Sequence, residues 1–159
     1  MACRLLQQKQ AERGSNVVTV KYDELSEAFD FVSFAGPMEH QAYIDRTTGK
    51  IYWVSEAVED ELPEDFDESD RYIAIPHKND LDLGASLVLR FASESLPDQY
   101  GRIEGFFRKR GAYARFKELL AAQGRLEQWY AFELKCTEMA LKRWCEENDV
   151  TIIDADQSA

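Results

Sequence analysis

The residues able to do chemistry are few, and their spacing limits what that chemistry can be. His40 and His77 are the only histidines, and neither sits in a His-x-x-x-His or Cys-His pattern. No Gly-x-Ser-x-Gly elbow, phosphate loop or dinucleotide fingerprint accompanies them. Both read as surface or strand-end residues. Of the three cysteines, Cys136 and Cys145 lie nine positions apart in a segment that reads as helix, which puts them on opposite faces about 13.5 Å apart along the axis. They cannot bridge within that helix. Reduced, partly buried thiols are the expectation and a redox or metal role the lesser alternative, because no Cys-x-x-Cys and no histidine at ligand spacing goes with them. No cofactor and no metal is expected.

Nine of the fifteen residues from Glu56 to Asp70 are acidic and none is basic. Asp65-Phe66-Asp67-Glu68-Ser69 has the look of a calcium loop, but Asp70 stands where that loop needs glycine and Pro76 where it needs a bidentate glutamate. An EF-hand is excluded. Three readings stay open: a solvated, self-repelling loop, a docking surface for a basic partner, and weak binding of a divalent ion, in that order. On the second, Glu64, Asp65, Asp67 and Glu68 meet the partner, while Leu62 and Phe66 are the only large apolar residues able to anchor the stretch.

The counterpart is basic. From Pro97 to Arg125 there are seven cations, Arg102, Arg108, Lys109, Arg110, Arg115, Lys117 and Arg125, against three acids, with Phe106, Phe107, Tyr113 and Phe116 interleaved. Cations with aromatics can hold single-stranded nucleic acid through phosphates and stacking, and Arg108, Lys109 and Lys117 would then carry the contacts. The aromatics keep helical spacing, however, and are more economically placed in a core. An ordinary solvated face ranks first, a salt-bridge surface second and nucleic acid last.

Further on, at 100° per residue, Leu126, Trp129, Tyr130, Cys136, Thr137, Ala140 and Trp144 gather around Glu133, so a carboxylate occupies the middle of an apolar stripe. Such a charge is costly unless paired. The leading reading is a structural ion pair with Arg110 or Arg115, Arg110 first; a catalytic acid of raised pKa and a helix rotated to wet Glu133 are the alternatives.

The elements that position these groups follow from periodicity. Val17–Val20 reads as a short strand. A helix opening at Asp23 and Glu24 carries Leu25, Ala28, Phe29 and Val32 at i, i+3, i+4 and i+7, and Gly36-Pro37 ends it. Gln41–Asp45 and Lys50–Val54 form a hairpin through Arg46-Thr47-Thr48-Gly49, with Gly49 where a positive φ is wanted. Arg71–Ile75 adds a third strand. Beyond it the chain reads as helix: from Asp80 or Asp82 to about Glu94, from Pro97 through Gly101 and Gly105, from Ala112 to about Gln123, and from Leu126 to about Glu147. Gly101 and Gly105 imply either a close helix contact or fraying. The fold class is α+β: a small antiparallel sheet of about three strands with an N-terminal helix, followed by three or four helices. Residues 1–16 are expected as a disordered tail, 17–153 as a single domain and 154–159 as a short polar tail.

Several of these residues together resemble the uncharacterised bacterial protein family UPF0158. They are Tyr43, Ile44, Asp45 and Gly49 of the hairpin, Ile73, Ile75 and Pro76 of the third strand, Arg110-Gly111-Ala112-Tyr113 with Phe116, Lys117 and Leu120, and Trp129, Phe132, Glu133, Ala140 and Trp144. The likeness runs over residues 20–150 and is most specific from Arg110 to Lys117. It implies a compact bacterial cytosolic domain and transfers no catalytic residue.

With 159 residues, 45% of them hydrophobic, the chain can bury a core without staples, which excludes collagen-like, mucin-like and disordered classes. A net charge of −11 argues against general binding to polyanions. No apolar run reaches the length of a signal peptide or of a membrane span. The expectation is therefore a cytoplasmic, non-catalytic interaction or regulatory module, a monomer or small homo-oligomer away from membranes, whose partner is a protein and a basic one if it docks on the acidic segment. The alternatives are a nucleic-acid-associated protein using residues 102–125 and a small enzyme of unfamiliar type.

Overall fold

The structure, a computed structural model, describes residues 17–36, 38–57, 62–64, 66 and 70–154. These residues form an α+β fold that divides into two compact units, one made of residues 1–77 and 142–159 and the other of residues 78–141. Among the described residues no helix is long and apolar enough to cross a membrane.

Unit 1 holds strand β1 (Val18–Lys21), helix α1 (Tyr22–Phe34), and strands β2 (Gln41–Asp45), β3 (Ile51–Val54), β4 (Tyr72–Ala74) and β5 (Val150–Ile153). Asp23 and Glu24 lie in the first turn of α1, where negative charge favours the helix dipole. Its stripe of Leu25, Ala28, Phe29 and Val32 is buried as the spacing predicts. That stripe faces the strands because only there can it leave water. Strand β2 is central, pairing antiparallel with β3 from Gln41↔Val54 to Ile44↔Ile51 and with β4 from Tyr43↔Ala74 to Asp45↔Tyr72. The antiparallel sheet therefore has the three strands expected. Strand β1 stands outside it, in a parallel pair with β5 that runs from Val18↔Val150 to Lys21↔Ile153.

The β2–β3 turn is built by Asp45. Its Oδ1 accepts the Thr47 N–H at 2.8 Å and its carbonyl accepts the Gly49 N–H at 2.8 Å, which closes the turn. Gly49 has φ +77°, and a Cβ there would stand 2.8 Å from the Thr19 carbonyl oxygen of β1. Two penalties thus fall on one residue. Gly49→Ala should lower stability by more than about 1 kcal/mol in chemical denaturation; a change within error would mean that the turn shifts freely away from β1.

Unit 2 is helical, with α2 (Ala85–Ser95), α3 (Tyr100–Phe106), α4 (Ala112–Ala122) and α5 (Leu126–Glu147), the last crossing into unit 1 after Leu141. The α2 helix starts later than Asp80 or Asp82. Residues Lys78–Leu81 close a 3-10 turn, and Asp82 at φ +56° breaks the helical path before Gly84 caps it. Val88, Phe91, Ile103, Phe116, Leu120 and Trp129 are fully buried and form the centre of the core. Trp129 meets Phe116 edge-on at 5.0 Å and Phe91 at 5.3 Å. A close contact at Gly101 and Gly105 is not found, since a Cβ on either meets nothing within 4 Å. The short α3, ending at Phe106, accords with the fraying alternative. Gly101→Ala should therefore raise stability by about 0.5–1 kcal/mol, a gain that a melting curve would register; a loss would reveal a neighbour at that face.

Candidate functional site

Two large apolar side chains that unit 1 leaves in water sit at the end of α1 and in the turn after it. Helical spacing puts Phe34 opposite the Leu25–Val32 stripe, and it is 86% exposed; Met38, in the turn that follows, is 79% exposed. His40 holds this region together. Its Nδ1 lies 2.9 Å from the Phe31 carbonyl oxygen, which can only accept, so Nδ1 carries the proton. Its ring lies parallel to Phe31 at 4.5 Å and to Phe34 at 6.0 Å, and Trp53 of β3 meets Phe31 edge-on at 5.0 Å. The four rings make a continuous array from β3 to the exposed Phe34.

Beside the array opens a cleft of about 600 Å³ lined by Met38, Glu39, His40, Ser55, Glu56 and Ala57. Glu39 is steadied by the Gly36 N–H, which donates to its Oε2 at 3.2 Å. A second cleft, of about 390 Å³, is lined by Glu24, Glu27, Lys50, Ile51 and Trp53. Nearby on α1 the Asp30 carboxyl is pushed above its usual value by partial burial and then by the charge of Glu27. Lys50 brings a cation to the same cleft as Glu24 and Glu27.

A different carboxylate holds the sheet. Asp45 is 1% exposed, and Arg71 grips it with Nε to Oδ1 and Nη2 to Oδ2, both at 2.7 Å. The Arg71 bond leads in holding the Asp45 carboxyl down at about 2, against the opposing effect of burial and with help from Thr47 and Thr48. This is a structural clamp, tying the β2–β3 turn to the residue that precedes β4.

The residues singled out in the sequence fall in both units. Asp65, Asp67 and Glu68 lie outside the described residues, while Glu64 is exposed. Phe66 anchors its stretch, packing against Tyr43 at 4.6 Å and Tyr72 at 5.1 Å. Arg108, Lys109, Arg110 and Lys117 are exposed, with Arg108 3.6 Å from Glu104. Phe116 is core, and Phe106, Phe107 and Tyr113 pack against that core, so the aromatics are not laid out as a stacking platform. Glu133 is half-buried, and its charge adds to burial in raising the Tyr113 phenol. His40 and His77 both stand near strand ends, but His77 is buried, its Nε2 3.0 Å from the Ala35 carbonyl oxygen. Cys136 and Cys145 are free thiols, and burial pushes Cys145 up to about 11. Among the described residues no group of three His, Cys, Asp or Glu is placed to hold a metal ion.

The model of an uncharacterised protein family, UPF0158, matches residues 15–158, nearly the whole chain. The chain belongs to UPF0158. No curated protein and no solved structure matches it. For this UPF0158 protein the site must accordingly be read from its own geometry. Sequence reasoning read His40 only as a surface or strand-end residue and passed over Phe34 and Met38, because it scored residues that fit the helical stripe. The available signal was the reverse, a large aromatic at a position the stripe leaves to water.

Proposed function

We propose that this UPF0158 protein is a non-catalytic interaction module, acting in the bacterial cytoplasm, in which unit 1 captures a basic segment of another protein. One observation carries the reading: exposed Met38 lines a cleft whose walls include Glu39, Glu56 and His40, and the exposed Phe34 ring lies 6.0 Å from that His40. Apolar anchors rimmed by charge are what a polar, reversible interface needs. Charge distribution supports it, since unit 1 contains 21 acidic residues against nine basic ones, whereas unit 2 contains nine against ten. A basic segment is thereby steered to unit 1. In the sequence, eight further acids follow Glu56 before Arg71. Two free thiols suit a reducing compartment.

The test is titration with a basic peptide that carries leucine anchors, followed by NMR. The Phe34→Ser, Met38→Ser double variant should keep its melting temperature, because both side chains are already in water, yet bind about tenfold more weakly or worse. Neutralising Glu64, Asp65, Asp67 and Glu68 to Gln or Asn should leave the melting temperature unchanged or slightly raised while slowing salt-sensitive association. Equal binding by wild type and the double variant would end the proposal.

A further inference from the structure

We propose that the cleft beside Phe34 selects arginine over lysine in the captured segment. The inference rests on the docking reading above and adds the chemistry of recognition. A guanidinium is flat, weakly hydrated and forked, so it gains from a planar π surface and from carboxylates that accept several N–H donors; an ammonium is a compact, strongly hydrated point charge that gains less from either.

The geometry supplies what the flat cation needs. Phe34 presents an 86% exposed ring, and its tilt of 12° to His40 extends the Phe31–His40 stack as a flat surface towards solvent. His40 donates from Nδ1 to the Phe31 carbonyl oxygen, which holds its ring in place within the stack. The Gly36 N–H engages Glu39 through Oε2 and so fixes a carboxylate at the cleft wall, with Oε1 left to accept. Glu56 brings a second carboxylate from the segment after β3. Among the described residues no Lys or Arg lines this cleft. Its volume of about 600 Å³ admits an arginine side chain together with the backbone that bears it.

The experiment compares two peptides identical except that one carries arginine where the other carries lysine, with a third bearing citrulline, which keeps the planar shape and loses the charge. Titration of the full chain should give about tenfold tighter binding of the arginine peptide than of the lysine peptide, and no measurable binding of the citrulline one. Phe34→Ala should bring the arginine peptide down to the lysine level, whereas Phe34→Tyr should preserve the preference. Glu56→Gln should weaken both cationic peptides. Equal affinity for arginine and lysine overturns the selectivity and leaves the docking reading intact; binding of neither overturns both. Tight binding of citrulline would show shape recognition without charge and overturn the selectivity as well.

Discussion

Replacing Arg71 by methionine should cost about 3 to 5 kcal/mol, the range for stranding one partner of a buried ion pair. The carboxylate left behind is the reason. Asp45 is 1% exposed and receives both its shortest bonds from Arg71, so without the guanidinium its charge stays in the protein with only the turn's donors around it. Arg71→Lys should fall between, since it restores charge without the two-pronged geometry. The pH dependence follows from the same clamp. Because the Asp45 carboxyl is held at about 2, below its usual 3.8, its contribution is fully present above pH 4 and is lost as pH falls through 2. The gap corresponds to about 2 kcal/mol. Denaturant unfolding at pH 7 and pH 3 should show about half of that acid loss in the wild type and a smaller one in Arg71→Met. A cost under about 1 kcal/mol would place the pair among ordinary surface bridges.

Trp129→Ala should be comparably severe, at about 3 to 5 kcal/mol, because it empties the centre of the unit 2 core. Trp129→Phe should cost far less than its lost volume suggests. The indole Nε1 is buried and meets no acceptor among the described residues, so its N–H has given up water for nothing, a penalty of about 1–3 kcal/mol that phenylalanine removes. The smaller ring keeps the edge-on contacts with Phe91 and Phe116 in reach. Unfolding followed by circular dichroism separates the two variants. Should Phe prove as damaging as Ala, the indole shape or a bond from Nε1 must matter more than this burial implies.

Elements governed by neighbours in sequence were legible. The α1 stripe, the hairpin with Gly49 at positive φ, the third strand and the four later helices all follow from local spacing and turn chemistry. Pairings across long separations were not. Strand β5 has a plain β-branched run, Val150-Thr151-Ile152-Ile153, yet its partner Val18 lies at the other end of the chain, and no local pattern announces it. The Asp45–Arg71 clamp spans 26 residues, and each partner alone looks like an ordinary charge at a strand end. The aromatic array was hidden for a third reason: Phe34 is 86% exposed, so a search for buried periodicity passes over it.

The parallel β1–β5 pair orders events during synthesis. Residues 78–141 form one uninterrupted stretch, so unit 2 has every residue of its core once Leu141 leaves the ribosome. Unit 1 does not. Its β1 strand must wait, with one flank unsatisfied, until Val150–Ile153 has been made. Closing unit 1 therefore joins the most distant residues of the fold, the step that contact order makes slow. An amino end held unpaired for that interval is where a chaperone or a second nascent copy would find a free strand, and the short, lysine-ended β1 limits that exposure.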